Sequence, residues 1–337
     1  MRRAYAFRMR PTTCQHVALG QCLALHRELY NAALQERRDA WRRGTAISYG
    51  DQSAQLKAIR RIRPDVAVWS FSSQQATLRR LNRAFASFFR RVKAGETPGY
   101  PRFKPARRFD SVEWPRDGDG CRWRPDTSRV YLQGIGHVKV TVHRRVEGQV
   151  KTIQVRREGR RWMLVLSCDQ VPTRPLEPNQ AAAGIDVGIA SFATTSNGEH
   201  LPNPSWGRVA GARLRTAQQR LARKQRGSNN RRKATAALAA RHRKLANQRR
   251  NFHHHAARVL VSILCTKAEE AGRVVIVVDA RHTSDRCEAC GHTAAENRAS
   301  QAVFSCRACG HTAQADEHAA RNILRAGLAR LAANPAA

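Results

Sequence analysis

The stretch Cys287-Glu288-Ala289-Cys290-Gly291-His292 returns as Cys306-Arg307-Ala308-Cys309-Gly310-His311, with fifteen residues between Cys290 and Cys306. Thiolates bind zinc at about 2.3 Å, and a C-x-x-C turn puts two sulfurs on one side of the ion. Two such turns close a tetrahedral four-thiolate site. Cys287, Cys290, Cys306 and Cys309 are therefore expected to hold one structural zinc with no open position. Just downstream, Asp316-Glu317-His318-Ala319-Ala320-Arg321-Asn322 leads into an apolar-periodic helix over 319–331. Far upstream, Gly184-Ile185-Asp186-Val187-Gly188-Ile189 sets one carboxylate in an apolar strand expected over 185–192. An unpaired carboxylate there is costly and asks for a partner or a cation. Gly184 and Gly188 leave room for a ligand or another backbone. Each acid also has a plain reading: Asp186 as a strand-end turn cap, Asp316 as a helix N-cap. Joined around a zinc ribbon on a basic chain, they point to metal-dependent work on nucleic acid.

The charge supports that direction. Lys and Arg outnumber Asp and Glu by 61 to 25 in 337 residues, a net charge of +36. Such a surplus repels itself unless a polyanion neutralises it. Solubility alone needs far less. No apolar run approaches the roughly 20 residues that span a bilayer, and residues 1–5 lack a signal peptide's apolar core. Four of nine cysteines stand at zinc spacing, which fits a reducing cytoplasm better than a disulfide scaffold. Cys14, Cys22, Cys121, Cys168 and Cys265 read as small apolar fillers.

The chain divides by pattern. Residues 2–10 alternate as a strand, with Tyr5, Phe7 and Met9 on one side. Pro11-Thr12-Thr13 stops it and caps a helix. Helical spacing follows from Leu19 to Leu34, over 53–62 and over 72–92, giving a helical lobe at 12–95. Gly99-Tyr100-Pro101-Arg102-Phe103-Lys104 is a turn-rich connector. Short alternating runs at 130–132, 138–142, 153–155 and 162–167 predict a small antiparallel barrel or sandwich. A linker at 172–178 leads to a second domain with an Asn197-Gly198 hairpin turn. A basic helical pair spans about 208–264, broken near 227–230. No Asp or Glu occurs from 201 to 267. A solvated helix normally mixes signs, so one-sign charge argues for phosphate contact. Arg223, Lys224, Arg231, Arg232, Arg243 and Lys244 are candidates. A helix at 267–272 and an apolar strand at 274–278 precede the ribbon.

Taken together the residues resemble the TnpB (OrfB) family of insertion-sequence RNA-guided nucleases, relatives of the miniature type V CRISPR effectors. The likeness runs through Arg8-Met9-Arg10-Pro11-Thr12 with Gln15, then Tyr30-Asn31, the 99–104 hallmark, Gly184-Ile185-Asp186-Val187-Gly188 as a first RuvC motif, the cysteines, and Asp316 to Asn322 as a third. In the last, His318 replaces the usual Asn. The resemblance implies an α/β multidomain protein. A wedge β-barrel would occupy 1–11 and 96–178, and a helical recognition lobe 12–95. An RNase H-like (RuvC) domain would occupy 183–282 and 313–333, with a zinc ribbon at 283–312. It implies a guide RNA that reads a double-stranded DNA target, contacts from Tyr100, Arg102 and Lys104, and magnesium held by three carboxylates.

The sequence departs from that pattern at one place. The family's second RuvC motif, an apolar strand ending in Glu, is not found, and the apolar 259–264 runs almost directly into 267–273. Three readings follow: an RNA-guided DNA-binding protein that cuts poorly, an active endonuclease in which Asp279 completes the site, or a transposase relic. Binding needs only the basic surfaces, so the first leads. If 274–278 moves beside the Asp186 strand, Asp279 would converge with Asp186 and Asp316.

Overall fold

A computed structural model describes residues 1–177, 181–188, 191–203, 206–255 and 261–333. The chain forms two compact units, Met1–Pro172 and Thr173–Ala337.

In the first unit, β1 (Arg3–Arg10) buries Tyr5, Phe7 and Met9 and exposes the residues between them. Pro11 cannot extend the ladder. Thr12 then forms a capping box with Gln15, and α1 (Thr13–Arg42) begins. Next come α2 (Tyr49–Ile62), the short α3 (Pro64–Ala67) and α4 (Phe71–Lys93). Six strands follow: β2 (Ser111–Trp114), β3 (Cys121–Arg124), β4 (Arg129–Leu132), β5 (Gly136–Thr141), β6 (Gln149–Glu158) and β7 (Arg161–Asp169). They join β1 in one antiparallel sheet of order β2-β6-β7-β1-β5-β4-β3, curled enough to bring β3 beside β6. The alternating runs had marked four of these strands; β2 and β3 are additions.

One apolar core joins Tyr5 and Phe7 of β1, Leu19 and Leu34 of α1, Leu78 and Leu81 of α4, and Trp114, Val138 and Leu164 of the sheet. The helices at 12–95 and the sheet, expected as separate domains, thus share their interior. Neither has an apolar face left to close by itself.

The second unit opens with β8 (Ile185–Asp186), β9 (Ser191–Thr195) and β10 (His200–Pro202), paired antiparallel in the order β10-β9-β8. The Asn197-Gly198 turn joins β9 to β10, with Gly198 at φ +81°. Helices α5 (Trp206–Ala222) and α6 (Asn229–His255) lie side by side, and α7 (Val261–Glu270) follows. A 3-10 turn at Ala295–Asn297, β11 (Val303–Ser305), β12 (Thr312–Gln314) and α8 (Ala315–Ala333) complete it. Among the described residues no helix is long and apolar enough to cross a membrane.

Three expectations need correction or trimming. The strand over 185–192 is two short strands, and 189–190 lie outside the described residues, as do 178 of the linker and 256–260 of the basic helical pair. The helix expected at 267–272 is the end of the longer α7. The apolar run 274–278 forms no strand: Val274 and Val277 are exposed, and the Val277 carbonyl accepts from the Arg330 guanidinium at 2.9 Å. A strand needs a neighbouring edge for its backbone groups. Among the described residues, β8 pairs with β9 alone.

Candidate functional site

The four ribbon cysteines come together. The ligand atoms of Cys287, Cys290, Cys306 and Cys309 all lie within 4.8 Å of one another. Cys287 Sγ is 3.7 Å from Cys309 Sγ, and Cys290 Sγ is 3.6 Å from Cys306 Sγ. Four sulfurs at about 2.3 Å from one ion would be separated by about 3.8 Å, so the cluster could hold zinc. Each knuckle is built by the backbone: the Cys287 N–H donates to His292 O and the Cys306 N–H to His311 O, both at 2.8 Å. Gly291 and Gly310 follow the second cysteine at φ +77° and +73°, a conformation other residues resist. Backbone N–H groups of Cys309, then Ala308, help draw the Cys306 thiol down to about 6, toward the thiolate that a metal needs. Of the other cysteines, Cys22, Cys121 and Cys168 are buried fillers as expected, while Cys14 and Cys265 are exposed and pack no core.

Between the knuckles, Asn297 is fully buried. Its amide donates to Asp285 O (2.9 Å) and His292 O (3.2 Å) of the first, and its oxygen accepts from the Arg307 N–H (2.9 Å) of the second. Pattern reading missed this clasp. A lone Asn in a loop carries no signal until its three partners are in place.

The ribbon is tied to α8 by polar groups. The buried His318 stacks on Phe304 at 3.7 Å, and its Nε2 accepts from the Glu288 N–H at 3.2 Å. Glu288, His311 and His318 gather closely enough to suggest a second metal site. The Arg321 guanidinium, however, already holds Glu288 Oε1 at 2.7 Å. A cation there would face a fixed positive charge, so the group is an interlock.

Asp186 stands on β8 and Asp316 in the first turn of α8, and these two elements pack together. A Cβ on Gly184 would lie 1.9 Å from Ala320 O and 2.7 Å from Leu324 N, so only glycine permits this approach. Gly184→Ala is expected to separate β8 from α8, at a cost of about 1–3 kcal/mol for a forced backbone shift. Limited proteolysis of the second unit would register it; an unchanged digestion pattern would refute the packing. Asp316 is not the N-cap. Gln314 Oε1 caps α8 by accepting from the Glu317 N–H at 2.7 Å, which leaves Asp316 in the first turn with its carboxylate free for other work. Burial first, and the Asp316 charge second, push the Asp186 carboxyl above the usual range. Arg298, next to the Asn297 clasp, places Nη2 3.2 Å from Asp316 Oδ1, and its charge opposes that upward push on Asp186.

Asp279 does not join them. It is exposed, and its carboxylate accepts from the Arg281 N–H at 3.0 Å. Without a strand at 274–278, nothing carries it to β8.

The expected nucleic-acid contacts divide. Tyr100 packs edge-on against Phe85 and Phe88 and remains part-exposed, with the Arg38 guanidinium over it and over Phe103. Asn31 exchanges two hydrogen bonds with the Lys104 backbone, at 3.1 and 2.8 Å, so the Tyr30-Asn31 pair and the 99–104 stretch form one feature. Arg102 is exposed. Arg223, Lys224, Arg232, Arg243 and Lys244 are exposed on the α5–α6 hairpin. Arg231 is different: it is half-buried, and its guanidinium donates to Leu221 O (3.1 Å) and Lys224 O (2.8 Å), closing the end of α5.

A further basic surface was missed. In the sheet, Arg10 faces Lys139, Lys139 faces Arg129, and Arg129 faces Arg124, all exposed and in register across β1, β5, β4 and β3. Beside this row His137 faces Tyr131, which faces Arg122. Like charges directly opposite destabilise a sheet. The basic residues alternate within 122–139, but only the register aligns them.

Comparison with known proteins gives three family profiles along the chain. Residues 153–271 match OrfB_IS605, described as a probable transposase. Residues 258–323 match the Cas12f1-like TNB domain, and 1–45 a helix-turn-helix domain of OrfB_IS605. The chain is a relative of the TnpB (OrfB) family. Within this TnpB relative, 1–45 fold as β1 and the single helix α1, so that last profile's name does not describe its structure here. A putative RNA-guided DNA endonuclease InsQ of Escherichia coli (strain K12) is 28% identical, over 98% of this chain and 93% of its own length. A putative RNA-guided DNA endonuclease of Streptomyces pristinaespiralis is 32% identical, over 68% of this chain and 56% of its own. Among solved structures, a Cas12f1–sgRNA–target DNA complex aligns over 96% of this chain and 99% of that one, with 16% identity and a TM-score of 0.31.

Proposed function

We propose that this chain is an RNA-guided DNA-binding protein of the RuvC endonuclease class whose cleavage is impaired. In this reading the first unit serves as wedge barrel and recognition lobe, the second as an RNase H-like domain with its ribbon. The cysteine cluster holds one structural zinc. Guide RNA and duplex target lie along the basic surfaces, and the likeness to relatives named for RNA-guided endonucleases supports this choice of partners. The observation that carries the impairment is the carboxylate centre: Asp316 is ion-paired with Arg298, whose charge also acts on Asp186, and the candidate third acid, Asp279, is exposed. Magnesium demands near-ideal octahedral oxygen geometry. Two carboxylates, one already bonded by Arg298, do not fit the three-acid cage that the family implies. The alignment with the E. coli relative runs to 382 positions against 337 residues here, so at least 45 positions of the relative face a gap in this chain. That supports the loss of a segment such as the second motif.

The names of the relatives favour a second reading, an active endonuclease. Plasmid cleavage with the chain's own flanking RNA separates the two. Guide-dependent DNA retention with little cutting is expected. Robust cutting abolished by Asp186→Ala would establish the second reading.

The pair also predicts a pH effect. A carboxyl whose folded pKa is raised stabilises the fold below the ordinary carboxylate pKa, and that contribution is lost as pH rises through the raised value. Asp186→Asn should therefore raise the melting temperature at neutral pH and blunt the stabilisation that mild acid gives the parent. A lower melting temperature in the variant would contradict the assigned environment.

A further inference from the structure

We propose that Arg298 is the resident cation of the Asp186–Asp316 pair, carried there by the folded ribbon, and that a divalent cation reaches the pair only by displacing it. Three observations converge. First, the ion pair is sheltered: the Asp316 side chain is 12% exposed and that of Arg298 33%, with Nη2 of Arg298 held between Asp316 Oδ1 at 3.2 Å and Gln301 O at 3.3 Å. A guanidinium is always charged and forks between oxygen acceptors, so it can neutralise a carboxylate without a metal. Second, its position is set by the ribbon. The preceding residue, Asn297, is the clasp that bonds both cysteine knuckles at once. When the knuckles are folded, the chain leaving Asn297 is aimed at α8. When they are not, Arg298 loses the anchor that holds it beside Asp316. Third, Asp279, the acid expected to complete the site, stays exposed with its carboxylate on the Arg281 N–H. The charge sum at the centre is two carboxylates against one guanidinium, so half of the negative charge is offset before any metal arrives. The ribbon thereby becomes an antagonist of metal binding at the carboxylates.

The inference takes from the proposed function only the choice of metal to try; RNA and DNA are absent from its test. The zinc-loaded full chain is titrated with Mn²⁺, and free Mn²⁺ is read by electron paramagnetic resonance. An opposite charge a few ångströms away moves a carboxylate's affinity for a proton by about tenfold or more. Arg298→Gln is therefore expected to bind Mn²⁺ about tenfold more tightly than the parent, and the gain should vanish when Asp186→Asn is added. Equal or weaker binding in Arg298→Gln, with one zinc per chain retained, overturns the proposal. Should Gln disturb the ribbon, seen as zinc below one per chain, Arg298→Lys is the second arm. Its side chain is shorter and sets the charge back from Asp316, so Arg298→Lys should bind Mn²⁺ more tightly than the parent by a smaller factor, and identical binding overturns the proposal. Failure of guide RNA binding, measured separately, would remove the proposed function and leave this result standing.

Discussion

Cys306→Ser, or extraction of the metal by a strong chelator, is expected to unfold residues 285–314 and to free Arg298 from Asp316. The ribbon has almost no apolar interior of its own: its buried cluster is Cys287, Phe304, Cys306 and Ala315, and two of these four are thiols. Its strands β11 and β12 are three residues each. A two-stranded ladder of that size does not stand alone in water. The metal must supply the difference. Structural zinc in finger peptides contributes about 10–16 kcal/mol at neutral pH, comparable to the whole stability of an ordinary domain, about 5–15 kcal/mol. Metal analysis should find one zinc per chain in the parent. Hydrogen exchange should then show protection lost over 285–314 in Cys306→Ser, and weakened at the start of α8 through the His318–Glu288 bond. Residues 1–172, with their own core, should keep their protection. Full protection of the ribbon in a zinc-free sample would sink the claim.

The ribbon was legible because its chemistry is local. Two C-x-x-C-G-H turns specify backbone, ligands and ion within six residues each. The same holds for β1, where Tyr5, Phe7 and Met9 alternate, and for Thr12 with Gln15, where a cap and its partner stand three apart. What the sequence hid is set by contacts between distant segments. Asp316 precedes an apolar run, as an N-cap does, but Gln314 takes that role. Arg231 looks like its basic neighbours, and only the end of α5 turns it into a cap. The run 274–278 has the composition of a strand and no edge to pair with. Composition reports a preference for pairing; a strand also requires a partner. Asp279 was placed by that missing strand, and it left the site with it. Arg298 gave no signal at all. One arginine among 61 basic residues becomes distinctive only when Asn297 is pinned and Asp316 lies 3.2 Å away.

Binding of single-stranded guide RNA should collapse as salt rises. Each phosphate neutralised adds about 0.7 to the slope of log affinity against log salt on single strands, and about 0.9 on duplex. Six to ten contacts on single-stranded RNA therefore cost roughly 300-fold to 10⁴-fold in affinity between 50 and 200 mM salt. The α5–α6 hairpin alone exposes Arg223, Lys224, Arg232, Arg243 and Lys244, in a stretch from 201 to 267 without one acid to pair with them. The sheet row Arg10, Lys139, Arg129 and Arg124 adds a second surface where the fold tolerates like charges in register. Changing Lys244 or Arg124 to Gln should lower the slope by about 0.7 each on single-stranded RNA and leave thermal stability nearly unchanged. Arg231→Gln should do the reverse. Its guanidinium is spent on the Leu221 and Lys224 carbonyls, so its loss loosens the hairpin and changes the slope little. Gel-shift titrations at four salt concentrations, paired with melting curves, separate the two behaviours. A flat salt response in the parent would mean that the charge of this chain faces something other than nucleic acid phosphate.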